Sequence, residues 1–180
     1  MKRLVAIAAF ALIALSSCYQ EADIIRKLTD EEAAVIPYEK DQVVKFIDQN
    51  DDTIVMTVTS DVICRAYGYD FDYESKMIEP DPYCYMRYVM LTATNENSAQ
   101  SIELCAFPEK KIRITFSITS EWYIQQIFGL QGMTPQTLTL NGVDYDSVYV
   151  TENPTMAYSV TEGLLMMKTD SCSYVVMKEL

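Results

Sequence analysis

Three carboxylates alternate with three aromatic residues between positions 69 and 74. Asp70, Asp72 and Glu74 are spaced two residues apart, so in a β-strand they would share one face of the sheet. Carboxylate oxygens are ligands for Ca²⁺, and two of them flanking a glycosidic bond can hydrolyse it. The same alternation is typical of a sheet with one solvated and one buried face, and we favour this structural interpretation.

A second polar group imitates the opening of a calcium-binding EF-hand loop. Asp48, Asn50 and Asp52 have the required spacing, but Thr53 stands where the loop needs glycine and Thr59 where it needs glutamate. Asn and Asp also favour tight turns, because their short side chains hydrogen-bond to the nearby backbone. We therefore predict a hairpin turn at this position and no metal site.

The usual catalytic groups are missing from the sequence. The chain has no His, which removes the commonest general base and the commonest zinc ligand. It contains no GxSxG nucleophile motif and no glycine-rich phosphate loop. Met166 and Met167 fit a hydrophobic core better than a soft-metal site. We expect a protein without catalytic activity, metal or cofactor.

Aromatic residues are the best candidates for binding a partner. Tyrosine and tryptophan offer a large rigid face with a polar group, which suits contact with a glycan or a protein. A tyrosine in a β-sheet is more often half-buried structure than a ligand contact. The candidates are Tyr83, Tyr85, Tyr88, Trp122, Tyr145, Tyr149 and Tyr158.

The first eighteen residues have the layout of an export signal. Lys2 and Arg3 precede an apolar run of about half the length that a membrane-spanning helix needs. The run closes with Leu15-Ser16-Ser17-Cys18, which resembles the lipobox of bacterial lipoproteins. That resemblance implies cleavage before Cys18 and a diacylglycerol thioether on its sulfur. The alternative is an ordinary signal with an incidental cysteine.

Charge and length limit what the mature chain can be. The full chain has 14 Lys and Arg against 26 Asp and Glu, and removal of Lys2 and Arg3 leaves a net charge of −14. This charge repels nucleic acid, which we exclude as a partner. We expect a signal peptide over residues 1–17, a lipidated anchor and tether over residues 18–28, and one β-rich domain over residues 29–180.

Four further cysteines follow the lipobox. An even number in an oxidising compartment permits two disulfides with three connectivities, whereas buried free thiols behave as small hydrophobic side chains. No pair has the CxxC spacing of a zinc or redox site, and both alternatives stay open. The residues are Cys64, Cys84, Cys105 and Cys172.

Hydrophobic periodicity predicts one short helix followed by many strands. Thr29 and Glu32 form a capping box, and Pro37 limits the helix to residues 30–36. Asn141-Gly142 is the strongest hairpin signal, whereas residues 122–130 fit a helix or a strand. The predicted strands are 42–47, 53–60, 62–73, 83–92, 101–107, 111–118, 136–140, 143–150, 156–161, 163–169 and 173–179. We predict a mainly β fold, a single antiparallel meander that curls into a sandwich or partial barrel after one short N-terminal helix.

Several short motifs follow one another in a characteristic order after the lipobox. They are Ile36-Pro37-Tyr38, a first strand ending in Phe46, Tyr73-Glu74, Leu140-Asn141-Gly142-Val143-Asp144-Tyr145, Val148-Tyr149 and Glu162-Gly163-Leu164-Leu165. This order resembles a group of small, mostly uncharacterised β-rich lipoproteins of Bacteroidota. Asp41 and Asp52 depart from it, since glycine is frequent at these points in the group, and the cysteine content is high. The resemblance implies an envelope location and a β-rich fold, but no chemistry.

The sequence favours a non-catalytic binding module held by a lipid anchor in the bacterial envelope. We expect the outer membrane, on its periplasmic or its surface face, with the membrane and a protein or glycan as partners. One alternative is a surface glycan hydrolase that uses carboxylates such as Asp70, Asp72 or Glu74. Another is a carrier of an apolar ligand in a curved sheet.

Overall fold

Twelve β-strands form one sheet in the part of the chain that the structure describes. The structure is a computed structural model that describes residues 24–67, 83–95, 98–118, 121–152, 155–168 and 173–177. The strands are β1 (Ile24–Arg26), β2 (Val43–Asp48), β3 (Thr53–Tyr67), β4 (Tyr83–Asn95), β5 (Ser98–Phe107), β6 (Lys111–Ile118), β7 (Glu121–Gly129), β8 (Gln136–Leu140), β9 (Val143–Val150), β10 (Thr155–Ser159), β11 (Gly163–Lys168) and β12 (Ser173–Val176). The helix α1 spans Asp30–Ala33, and two 3₁₀ turns span Pro108–Lys110 and Leu130–Gly132. No helix among these residues is long and apolar enough to span a membrane.

Two antiparallel meanders are joined side by side in this sheet. Strands β2 to β7 pair in chain order, strands β8 to β12 do the same, and β12 pairs with β2 to join the two sets. The prediction of a mainly antiparallel β fold is confirmed. The departures from a single meander are the β2–β12 pairing and β1, which pairs parallel to β4 inside the segment predicted as a tether.

The sheet must curl, because its two outermost strands are neighbours in the chain. Strands β7 and β8 stand at opposite ends of an eleven-strand order. A flat sheet would hold them about 48 Å apart at the usual strand spacing. The six residues from Leu130 to Pro135 can span at most about 25 Å. The sheet therefore curls toward closure without closing, as a partial barrel.

The main core lies on the concave face of the sheet. Alternate residues of β2, of the first half of β3 and of the middle of β4 are buried there, as the two-residue period of a strand requires, with Phe46, Met56 and Leu91 among the fully buried side chains. Two smaller clusters lie outside the main core. One contains Ala66, Cys84, Cys105 and Phe107, and the other Tyr145, Val148, Ala157 and Leu165.

Residues 27–42, here called the strap, cross the concave side of the sheet. The predicted capping box is present, because the Thr29 hydroxyl accepts a hydrogen bond from the Glu32 N–H and the Glu32 carboxylate accepts one from the Thr29 N–H. The helix ends at Ala33, earlier than predicted, and the chain then turns inward. The strap thereby places Val35, Ile36 and Tyr38 in the main core.

Two other predicted elements have different bounds in the structure. The strands predicted at 53–60 and 62–73 are continuous through β3 as far as Tyr67, with a bulge between Val58 and Ser60. The ambiguous segment 122–130 is mostly strand β7, followed by a 3₁₀ turn that begins at Leu130. Its periodicity fitted a helix or a strand, and pairing with β6 favours the strand because it satisfies the backbone hydrogen-bonding groups.

Candidate functional site

Arg87 fixes the strap to the sheet through all of its donor groups. Its Nε and Nη2 atoms donate to the two carboxylate oxygens of Asp61, at 2.8 and 2.9 Å. Nη1 donates to the carbonyls of Ala33 and Ile36, and Nη2 also to that of Tyr38. Hydrogen bonding to Asp61 raises the pKa of Arg87, so the guanidinium stays charged. One side chain therefore satisfies three carbonyls at the bend of the strap.

Glu32 joins the start of the strap to the turn between β5 and β6. Its Oε1 accepts from Arg26 Nη2 and from the Glu109 N–H, both at 2.7 Å, and its Oε2 accepts from the N–H and hydroxyl of Thr29. Burial alone would raise the pKa of Glu32, but these hydrogen bonds and the charge of Arg26 outweigh it and lower the pKa. The carboxylate is thus buried, ionised and fully paired.

Tyrosine hydroxyls hold the inner part of the strap. The Tyr158 hydroxyl donates to the Val35 carbonyl at 2.7 Å, and the Tyr38 hydroxyl accepts from the Leu164 N–H at 2.8 Å. Burial raises the pKa of both phenols, so both stay neutral at physiological pH. Gly163 lies directly under the Tyr38 ring, where a Cβ would be 2.3 Å from the ring.

A cleft of about 420 Å³ opens where the strap meets the seam of the curled sheet, the gap between the outermost strands β7 and β8. We call it the strap cleft. The strap supplies one wall, and the opposite wall comes from the 3₁₀ turn after β7, from β9 and from the turn after β10. Its lining residues are Glu31, Ala34, Val35, Lys110, Leu130, Gln131, Tyr149 and Val160.

The strap cleft combines an apolar floor with a polar rim. Val35 and Leu130 are buried, Tyr149 is half-buried, and the Lys110 ammonium pairs with the Glu31 carboxylate at 2.5 Å across the mouth. Hydrogen bonding to Glu31 raises the pKa of Lys110, so this ion pair is present at neutral pH. An aromatic wall over an apolar floor, with polar groups at the edge, is typical of small-ligand sites.

Charges around the strap cleft balance, although the chain as a whole is strongly acidic. Three acids and three bases form a set of ion pairs near the cleft: Arg26 pairs with Glu32 and Glu109, Glu109 also pairs with Lys111, and Lys110 pairs separately with Glu31. Such a mouth exerts little net field on a ligand, so it suits neutral or zwitterionic groups better than strongly charged ones.

A second cleft lies beyond the other end of the strap, beside β2 and β12. It measures about 490 Å³ and is lined by Tyr38, Gln42, Val43, Val44, Lys45, Glu162, Val176 and Met177. Its lining residues come from the end of the strap, from β2, from the turn between β10 and β11 and from the end of β12. It has no exposed aromatic wall, because the Tyr38 side chain is buried.

Several sequence-derived candidates lie outside the described residues. These are the lipidation candidate Cys18, the alternating carboxylates Asp70, Asp72 and Glu74, and Cys172. Trp122 is in strand β7 and Tyr83 is in strand β4, but the side chains of both lie outside those described. Among the described residues, no group of three or more acidic or cysteine side chains could hold a metal ion.

The turn predicted at Asp48 is confirmed. The Asp48 Oδ1 atom accepts hydrogen bonds from the N–H groups of Asn50 and Asp52, at 2.8 and 3.0 Å. The intervening Asp51 has a φ of 64°, which Asp tolerates better than most residues. Met167 is fully buried in the main core, and Met166 packs against the smaller cluster that contains Tyr145 and Leu165, as predicted for core residues.

The candidate tyrosines are dispersed among the described elements. Tyr145 and Tyr158 are buried, and Tyr85 and Tyr88 are half-buried. Burial raises the pKa of Tyr88 to about 12. Tyr149 is the member of this group that lines the strap cleft. Its position in a bulged strand could not be derived from residue spacing alone.

Three of the four cysteines are free thiols in the structure. The strand register explains why, since Cys64 lies opposite Met86, Cys84 opposite Ala66, and Cys105 opposite Tyr88. No two of these cysteines are cross-strand partners, so the register does not bring them together as a disulfide pair. Burial raises the pKa of Cys84 and Cys105, which keeps both thiols protonated.

The residues that build the strap and its cleft were not predicted from the sequence. Arg87 is a single charge inside an apolar strand, and that anomaly could have marked it as a buried partner. The capping box signalled Glu32 as a helix cap but not its bond to Glu109. Lys110 and Leu130 are brought together by the pairing of β6 with β7, where Lys111 lies opposite Gly129, and no sequence motif marks their place beside the strap.

The Glu32 carboxylate makes the stability of the fold depend on pH. Its folded pKa lies below the ordinary 4.5 of the unfolded chain, so its ionised form stabilises the fold fully above that value and loses this effect as the pH falls through the folded pKa. We expect the free energy of unfolding to drop more between about pH 7 and pH 3 in the wild type than in Glu32→Gln. Urea unfolding at a series of pH values measures this. Glu152→Gln, which alters an exposed carboxylate just after β9, is the control and should keep the wild-type profile. Identical profiles for all three proteins would contradict the prediction.

No protein-family model, curated protein or solved structure matches this chain.

Proposed function

We propose that the protein is a non-catalytic binding lipoprotein, anchored through Cys18 in the bacterial outer membrane, that holds part of a glycan or protein in the strap cleft. The resemblance of residues 1–18 to a lipoprotein signal supports the anchor. The strap cleft supports the binding role. It is a concave site with an aromatic wall on a rigid β scaffold.

The main support for the binding role is that hydrogen bonds and an ion pair hold the walls of the strap cleft in place. Hydrogen bonds from Arg87 and Tyr158 fix the strap, and the Lys110–Glu31 pair ties the strap to the β5–β6 turn. A preformed site loses little conformational entropy when a ligand binds. The balanced charge of its mouth favours a neutral sugar or a peptide backbone.

The carboxylates at the strap cleft favour binding over hydrolysis. A glycosidase needs two carboxyl groups about 5–10 Å apart that face the same bond. Glu31 is paired with Lys110, and the carboxylate of Glu32 is occupied by four hydrogen bonds. The role of an apolar carrier has less support, because Val35, Ile36 and Tyr38 fill the concave face.

The binding role is tested with the acylated full-length protein on arrays of neutral glycans and short peptides. Ala34→Arg places a long side chain in the strap cleft from an exposed strap position. We expect it to weaken binding about tenfold or more, since it excludes the ligand from the site. Val55→Arg, on the outer face of β3, is the matched control and should bind as the wild type does.

Each outcome of that experiment bears on the proposal. Equal loss in both variants, or none in Ala34→Arg, would remove the strap cleft as the binding site. Turnover of a glycan that Asp72→Asn or Glu74→Gln abolishes would establish the hydrolase instead. Cys18→Ala protein that still fractionates with membranes would overturn the anchor.

A further inference from the structure

Strands β3 and β4 extend beyond the rest of the sheet as a narrow ribbon. We define the ribbon as residues 61–67 of β3 and 83–87 of β4. The pairing of β2 with β3 reaches only to Thr57, and the pairing of β5 with β4 begins only at Arg87. In the described chain, β3 is therefore an edge strand along the ribbon, whereas the β4 side of the ribbon is flanked by β1 and, at Arg87, by β5 and the strap.

The ribbon exposes large apolar side chains on both of its faces. Val62 is 48% exposed and Ile63 is 64% exposed, the highest value among the large apolar residues of the described chain. The two residues are adjacent in a strand, so they project from opposite faces. Isolated exposed apolar residues are common, but two neighbours on a free edge strand leave water readily when a second apolar phase is near.

The direction of β1 places the anchor at the same end. β1 runs parallel to β4, with Ile24 opposite Tyr83, so the chain enters β1 from the end where β4 begins. Cys18 precedes Ile24 by six residues, which span at most about 20 Å. A lipid on Cys18 would therefore hold the ribbon nearer to the bilayer than the opposite end of β4.

We propose that the ribbon lies on the lipid surface, with Val62 or Ile63 inserted among the acyl chains. This inference rests on the lipid anchor proposed above. The anchor supplies the high local concentration, and the ribbon fixes the orientation of the domain. Two weak attachments then act as one, because the second is intramolecular once the first has formed. The strap cleft is thereby held at a fixed tilt above the membrane.

Charge indicates which lipid surface is suitable. The fifteen residues that join β3 to β4 contain five carboxylates and one lysine, and the whole chain is acidic. Anionic headgroups would repel these charges. The ribbon therefore fits a zwitterionic surface, such as a phosphatidylcholine or phosphatidylethanolamine bilayer.

Quenching of tryptophan fluorescence by brominated acyl chains tests the proposal. The acylated full-length protein, carrying Trp122→Phe, is placed in phosphatidylcholine vesicles with one new tryptophan from Val62→Trp, Ile63→Trp or Val55→Trp. These are all exposed positions on β3, so the substitutions are matched in environment. We expect brominated lipid to lower fluorescence about twofold for Val62→Trp, Ile63→Trp or both, and to leave Val55→Trp unchanged.

The experiment distinguishes docking of the ribbon on the lipid surface from acylation of Cys18. Intact mass spectrometry of the same samples reports acylation of Cys18. Acylated protein without quenching at either ribbon position, or with equal quenching at Val55→Trp, would overturn ribbon docking and leave the anchor standing. Protein without acylation at Cys18 would overturn the anchor, and ribbon docking with it.

Discussion

Arg87→Ala is expected to lower the free energy of unfolding by about 3–5 kcal/mol, because it leaves a carboxylate and three carbonyls without their donor. Asp61 is mostly buried and would keep a charge without a partner. The carbonyls of Ala33, Ile36 and Tyr38 would lose their bonds to the guanidinium. Urea unfolding followed by circular dichroism measures the loss.

Two further variants make the result specific to Arg87. Arg87→Lys keeps the charge but not the planar fork of donors, so we expect a loss between the wild type and Arg87→Ala. Lys168→Ala removes an exposed cation from β11 and should change stability by less than about 0.5 kcal/mol. Equal stability of Arg87→Ala and Lys168→Ala would show that the strap does not depend on Arg87.

Gly163→Ala should have a comparably large effect for a different physical reason. A Cβ at this position would lie 2.3 Å from two atoms of the Tyr38 side chain, and the backbone has a φ of +86°. The Tyr38 side chain is buried in the main core and cannot swing aside. We expect a loss of about 3 kcal/mol or more, since overpacking adds to the cost of the left-handed backbone.

Gly142→Ala separates these two costs. Gly142 has nearly the same backbone angle, a φ of +79°, but nothing lies within 4 Å of the added Cβ. This control should lose only about 1–2 kcal/mol, the cost of the left-handed conformation itself. Thermal unfolding of both variants gives the comparison. A loss at Gly163 no larger than at Gly142 would mean that the contact with Tyr38 is not tight.

Local patterns predicted the strands and turns but not the strap. The Asn141-Gly142 hairpin and the Asp48 turn depend on residues within the turn, and both were predicted from sequence. The contact of Tyr158 with Val35 joins residues more than a hundred positions apart. No spacing rule specifies such a contact, because the curl of the whole sheet decides it.

The candidate site was harder to predict than the fold. Tyr149 was one of seven aromatic candidates, and nothing in the sequence distinguished it from Tyr145, which is buried. Lys110 follows Glu109 in a turn whose φ values are positive at both residues. This backbone conformation sets the direction of the Lys110 side chain, and it depends on how β5 pairs with β6.

The short strand β12 also determines the order in which the chain can fold. β12 pairs with β2 on one side, where Tyr174 faces Asp48, and with β11 on the other. A chain that emerges from a ribosome or a translocon N-terminus first must wait until β12 has emerged before its two meanders can join. Until then β2 and β11 each present an open edge, the kind that promotes pairing with other chains. Contacts so distant in sequence also slow folding, so the four residues of β12 govern both the rate of folding and the exposure to aggregation.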